Sequence, residues 1–170
     1  MCEISIKYLL LNLRLESVSQ RHTLFVIMNL LNMKTLEIVI EGYCPLHKCN
    51  ELPECSGIYF VYTGFYNPLT KRLNIGDLIY IGESGNIRER ICSHEKMDEW
   101  KSYLVNSFTT LYFSISPLSE EDRKRAEAAY IYHHKPIVNT EYKENFPFQM
   151  TRIISEGDII NLDPDFTVGK

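Results

Sequence analysis

The chain has little of several things, and each shortage excludes something. Its 170 residues carry no large surplus of either charge, with 18 Lys and Arg against 22 Asp and Glu and a net charge of -4 at pH 7. That balance excludes a protein that coats nucleic acid by bulk positive charge, so any grip on phosphate must come from a local site. Glycine (8) and proline (7) are scarce while aromatics reach 12%. A collagen-like, low-complexity or disordered chain is therefore excluded, and one domain with a packed core is expected. No apolar run approaches the ~20 residues of a membrane-spanning helix, since Asn29 and Asn32 interrupt the longest, Thr23 to Met33. Glu3, Arg14, Glu16, Arg21 and His22 spoil a secretory leader, which leads to the expectation of a cytoplasmic protein without membrane contact. Cys2, Cys44, Cys49, Cys55 and Cys92 make an odd number that closes no disulfide framework, so free thiols in a reducing compartment are expected. Four potential zinc ligands, Cys44, His47, Cys49 and Cys55, do crowd together, but their spacing forms no second ligand pair and does not suit a zinc site.

What is present reads as an α+β domain. Thr35 to Glu41 alternates and is rich in branched residues, as in a strand. Gly57 to Thr63 and Asp77 to Gly82 are continuous apolar and aromatic runs, as in strands buried on both faces, and Thr110 to Ile115 is a further strand. Between the first two runs, Gly64 to Gly76 holds Asn67-Pro68 and Lys71-Arg72 and reads as a long exposed basic loop. Asn86, with Glu89 three residues on, is a capping-box-like start for a helix over 87–104; Ser119 with Asp122 opens another that Pro136 stops near His134. Met150 to Leu162 reads as a hairpin around Glu156-Gly157-Asp158. The expected organisation is an N-terminal extension of unknown role (1–34), a core domain (35–145) and a C-terminal hairpin or tail packed on it (146–170). Trp100, Phe146 and Phe148 are read as core, and His47, His133 and His134 as structural or exposed.

A small set of residues carries chemistry. Tyr59 and Tyr80 fall on the two central strands, and Arg90 and His94, four apart on the expected helix, would share one face. Arginine can hold a phosphate through two parallel hydrogen bonds, and a lone mid-helix carboxylate, Glu127, can hold a hard cation. Its neighbours Ala126, Ala128 and Ala129 suit close packing and an inward carboxylate, although a surface pair between Arg123 and Glu127 is the plainer reading.

Gly57-Ile58-Tyr59 and Tyr80-Ile81-Gly82 resemble the two signature tripeptides of the GIY-YIG nucleases. Asn86, Arg90, His94, Glu127 and Asn139 follow in the family's order. The resemblance implies a three-stranded antiparallel β-sheet flanked by helices, and Mg²⁺-dependent hydrolysis of DNA phosphodiesters, with Mn²⁺ as a substitute. It implies that Glu127 is the metal ligand and that Arg90 binds the scissile phosphate. Tyr59 would activate or position water, Tyr80 and His94 would orient it and relay the proton, and Asn139 would brace the site. A phenol with a pKa near ~10 is a poor base unaided, and a cation or Arg90 beside it would favour the phenolate. Glu83 stands where many excision-repair members have lysine. Lys71, Arg72 and Arg88 are the expected DNA-backbone contacts, and a protein partner or a homodimer would supply targeting. A catalytically silent DNA-binding or protein-interaction module on the same fold is the alternative.

Overall fold

The computed structural model describes residue 23 and residues 32–169, so the expected N-terminal extension lies outside the described residues apart from residues 23 and 32–34. Six strands form one sheet: β1 (Lys34–Pro45), β2 (Gly57–Asn67), β3 (Arg72–Ser84), β4 (Thr110–Pro117), β5 (Thr151–Gly157) and β6 (Asp165–Val168). Their order is β3-β2-β4-β1-β5-β6, antiparallel throughout except where β5 lies parallel to β1. The α+β class holds, but the expectation of three strands does not. The C-terminal segment, expected to form a hairpin turning at 156–158, runs on to Gly157 along β1, crosses through 158–164 and returns as β6. Its partner is 117 residues away at Lys34, and local turn chemistry cannot reveal such a pairing.

The expected basic loop is also corrected. β2 and β3 continue as paired arms to Asn67 and Arg72, with Phe65 opposite Asn74 and Tyr66 opposite Leu73. Asn67 Oδ1 accepts the N–H groups of Leu69 (3.0 Å) and Thr70 (3.2 Å), so the Asn-Pro signal marks only the four-residue tip.

The sheet is covered on both faces, which explains the unbroken apolar character of β2. Ile58, Phe60 and Tyr62 pack with the alanines and Tyr130 of the long helix Glu120–His134, while Tyr59 and Val61 pack with Ile87, Ile91 and Trp100. The helix starts where expected: the Ser119 side chain accepts the Asp122 N–H at 3.2 Å, and the chain leaves it through a left-handed Lys135 before Pro136. Ala126 and Ala129 let it approach closely enough for the Tyr130 ring to meet Phe60 edge-on at 4.9 Å.

The helix expected over 87–104 is two short ones, α1 (Ile87–Cys92) and α2 (Met97–Lys101); the long helix is α3. Asn86 caps α1 as expected. The break comes because side chains take over backbone partners: Ser93 Oγ donates to Glu89 O at 2.7 Å, and His94 Nδ1 accepts the Lys96 N–H at 3.0 Å. Arg90 and His94 therefore sit on either side of a break rather than on one helix face. Cys92 is bonded to Cys49 in a disulfide that ties α1 to the turn at Leu46–Glu51, correcting the expectation of free thiols for this pair. Cys44 and Cys55 are free.

Candidate active site

Both signature glycines are explained by close approach of backbone and ring. Gly57 faces β4, where an added Cβ would lie 2.1 Å from the Ser116 carbonyl oxygen. Gly82 lies opposite Tyr59 on β3, and a Cβ there would come within 2.4 Å of the Tyr59 hydroxyl. The Tyr59 ring is thus laid across the one position on β3 that leaves it room.

From that seat Tyr59 reaches two partners. The Arg90 guanidinium and the Tyr80 hydroxyl are close enough to act on the charge of its hydroxyl, and the two phenol rings are 6.2 Å apart. Burial pushes the Tyr59 hydroxyl well above the usual phenol range, against the smaller opposing pull of Arg90; Tyr80, less enclosed, is pushed up to about 12. Both are neutral phenols at neutral pH. Tyr80 lines a polar cleft of about 270 Å³ together with Arg90, Glu95, Lys96, Glu127, Asn139, Glu141 and Tyr142. A larger opening of about 420 Å³ between β1 and the Leu46–Glu51 turn contains none of the motif residues.

Glu127 is carried into this cleft by α3. Burial and the negative charges of Glu83 and Glu141 raise its carboxyl to about 8, offset in part by the Glu83 backbone N–H and by Arg90. The alternative, a surface pair of Glu127 with Arg123, does not form. Arg123 is drawn instead to Glu83, with a further bond to Ser56 Oγ at 2.8 Å, which leaves the Glu127 carboxyl without a cationic side chain bonded to it. Such a site fits a bound cation, because a hard divalent ion would offset three crowded carboxylates with the oxygen donors it prefers.

His94 is buried in an aromatic nest, 4.2 Å from the Trp100 ring and edge-on to Tyr80 and Tyr59. Burial and then Arg90 lower it to about 4. Since Nδ1 accepts the Lys96 N–H, the neutral ring carries its proton on Nε2, which is buried without a partner. Its free nitrogen is a donor, not the proton acceptor expected from an ordinary imidazole. Asn139 closes the far side: Nδ2 donates to Ile81 O at 2.8 Å and Oδ1 accepts the Ile81 N–H at 2.9 Å, so it grips the strand between Tyr80 and Gly82.

The three expected DNA contacts lie elsewhere. Lys71 and Arg72 are at the β2–β3 tip, eight or more residues along β3 from Tyr80, roughly 26 Å at the rise of an extended strand. Arg88 is committed to Leu52 O and to Glu54 at 2.7 Å. Sequence reasoning missed Glu95, whose carboxylate holds both terminal nitrogens of Arg90, at 2.6 and 2.8 Å. A charge five residues from a motif arginine gave no periodic signal. It also missed Glu141 and Tyr142, which reach the cleft because the chain turns sharply after Asn139, with Tyr142 in the left-handed region.

Among the described residues, no helix is long and apolar enough to cross a membrane. Comparison with known proteins finds similarity to UvrABC system protein C of Dictyoglomus thermophilum, 25% identical over 107 residues, covering 62% of this chain and 16% of that protein. The same-named protein of Thermosipho africanus is 32% identical over 80 residues, covering 47% of this chain and 14% of its own length. The chain thus matches only about a sixth of these relatives or less. No solved structure matches it. The model of the GIY-YIG catalytic domain matches residues 55–143, which is just over half of the chain and runs from two residues before β2, the strand that carries Tyr59, to the turn after Asn139. On that match, and on glycines, phenols and arginine placed as above, the protein belongs to the GIY-YIG catalytic domain family.

Proposed function

We propose that the chain is a divalent-metal-dependent endonuclease that hydrolyses DNA phosphodiesters. One observation carries the reading: Arg90 and Tyr80, the latter packed beside Tyr59, line the same cleft as a carboxyl, Glu127, whose surroundings call for a cation.

Glu127 would hold the ion, Mg²⁺ or Mn²⁺, which when bound supplies charge stabilisation to the scissile phosphate. Arg90 binds a non-bridging phosphate oxygen and holds the charge that develops there. Tyr80 is the phenol open to the cleft, so it meets and orients the attacking water, and Tyr59 links it to the positive charge of Arg90. Because burial keeps both phenols protonated in the free protein, proton removal from water becomes easier only when positive charge accumulates beside them. His94, with Nδ1 taken by the Lys96 N–H and Nε2 buried, packs edge-on against Tyr80 and Tyr59 and positions them rather than accepting a proton. Asn139 is a positioning residue: it fixes Ile81, and thereby Tyr80 on one side and Gly82 on the other.

The bidentate hold of Glu95 on Arg90 favours a second reading, a catalytically silent DNA-binding or protein-interaction module whose phosphate fork is internally satisfied. Supercoiled plasmid and branched or flapped DNA, incubated with Mg²⁺, Mn²⁺ or EDTA, separate the two. Metal-dependent cleavage lost at least a hundredfold in Glu127→Gln and Arg90→Ala is the expected result, of the size that removal of one transition-state contact produces. Cleavage that survives Glu127→Gln overturns the site, and no cleavage of any substrate selects the silent module.

A further inference from the structure

The C-terminal end of α3 gathers a second group of metal-capable side chains that the cleft does not use. His133 and His134 are the last two residues of the helix, and Asp163 lies in the 158–164 connection between β5 and β6. One ligand-capable atom from each lies within 4.8 Å of the other two. His133 Nε2 is 2.6 Å from Asp163 Oδ2, and its ring is clamped flat on Phe166, with centroids 4.1 Å apart and planes 8° from parallel. His134 stacks on Tyr130 at 5.9 Å and meets Phe166 edge-on, yet its Nε2 is buried with no hydrogen-bond partner.

We propose that His133, His134 and Asp163 form a binding site for a borderline divalent cation of the zinc type. Two imidazole nitrogens and one carboxylate oxygen form a donor set that zinc favours and Mg²⁺ does not. Ligand atoms around a tetrahedral zinc stand about 3.3 Å apart, so these three close on an ion through side-chain movements of about 1 Å. A simple ion pair of His133 with Asp163 would leave the His134 nitrogen unexplained; a shared cation uses all three groups. The place suits positive charge, because the last turn of a helix presents unsatisfied carbonyl groups and the negative end of its dipole. An ion there would pin the end of α3, the helix that carries Glu127, to the connection leading into β6.

The test uses the full chain stripped with a chelator, and Co²⁺ as a coloured substitute for zinc. One equivalent of Co²⁺ should give the visible absorption of a four- or five-coordinate site, be displaced by stoichiometric Zn²⁺ and withstand excess Mg²⁺. Zn²⁺ should also raise the thermal midpoint of the stripped protein. Asp163→Asn and His133→Gln, both at exposed positions, should each weaken Co²⁺ binding at least tenfold, the scale on which even supporting residues of metal sites act. Glu127→Gln and the double variant Cys44→Ser, Cys55→Ser should bind as the parent does, which separates this site from the cleft and from the thiols. The proposal is overturned by an absence of Co²⁺ absorption, by binding that persists in Asp163→Asn and His133→Gln, by loss of binding in the Cys44, Cys55 variant, or by equal competition from Mg²⁺.

Discussion

A carboxyl that its surroundings keep protonated weakens the fold that contains it whenever the pH forces it to ionise. Glu127 is raised from 4.5 to about 8, so between those pH values the folded chain holds a proton that the unfolded chain has released. Stability therefore falls as pH rises through that window, the reverse of the usual carboxylate. Glu127→Gln removes the cost, and without divalent cations the variant should be more stable than the parent at pH 8, by on the order of 1–3 kcal/mol, and equal to it near pH 4. Urea unfolding at the two pH values measures this, and a variant that is less stable at pH 8 contradicts the assignment. The same substitution should abolish cleavage, so a gain in stability accompanies a loss of function at one atom pair. Arg90 presents the opposite problem, since Glu95 occupies the fork that a phosphate would fill. In a non-cleaving Glu127→Gln background, Glu95→Gln should tighten DNA binding about threefold to tenfold at low salt, consistent with the modest energy of an exposed pair. Fluorescence anisotropy reads the change, and weaker binding would mean that Glu95 holds Arg90 in place instead of competing for it.

At the scale of elements, the site depends on how the edge strand β3 is finished. An edge strand leaves one row of N–H and C=O groups unpaired, and here the chain after α3 covers that row: the Val138 N–H donates to Ile79 O at 3.0 Å, and the Asn139 amide takes both groups of Ile81. Asn139→Ala leaves a buried donor and a buried acceptor unpaired and should cost about 2–4 kcal/mol in urea unfolding, while Asn139→Asp, which sets a carboxylate oxygen against the Ile81 carbonyl, should cost at least as much at neutral pH. A cost under about 0.5 kcal/mol for Asn139→Ala would show that water replaces the amide and that β3 needs no such clamp. The sequence made the local parts of this arrangement readable: the caps Asn86 and Ser119 start helices where expected, and the double burial of β2 shows in its unbroken apolar run. What it concealed was decided by competition or by distance. Ser93 and His94 break a helix whose apolar spacing continues past them, Asn67-Pro68 looks like the centre of a loop when it is the tip of a hairpin, and β5 finds β1 across more than a hundred residues. Arg123 chose Glu83, forty residues away in sequence, over its helical neighbour Glu127, and that choice leaves the Glu127 carboxyl without a bonded cationic side chain.

For the whole molecule, the net charge of -4 becomes a statement about where phosphates can be held. Residues 71–101 contain six Lys or Arg and six Asp or Glu, so the cleft has no surplus field, and Arg88 is already paired with Glu54. The other cations of that segment divide into Arg90, held by Glu95, and Lys96, held by Glu99, at the cleft, Lys101 at the end of α2, and Lys71 with Arg72 at the hairpin tip, roughly 26 Å from Tyr80 along β3. That distance corresponds to about eight base pairs of duplex at 3.4 Å each. DNA confined to the cleft should therefore release few counterions, and only a longer duplex lying along the hairpin arm should reach the second group. With Glu127→Gln protein, a short duplex should give a log–log salt slope of about -1 to -2, and one extended by ten base pairs a slope steeper by about 2, at ~0.9 for each added phosphate contact. Replacing Lys71 and Arg72 by alanine should remove the extra slope on the long duplex and leave the short one unchanged. Equal slopes at both lengths would mean that the hairpin tip never touches DNA, and that the protein depends for its grip on Arg90 and the ion beside Glu127.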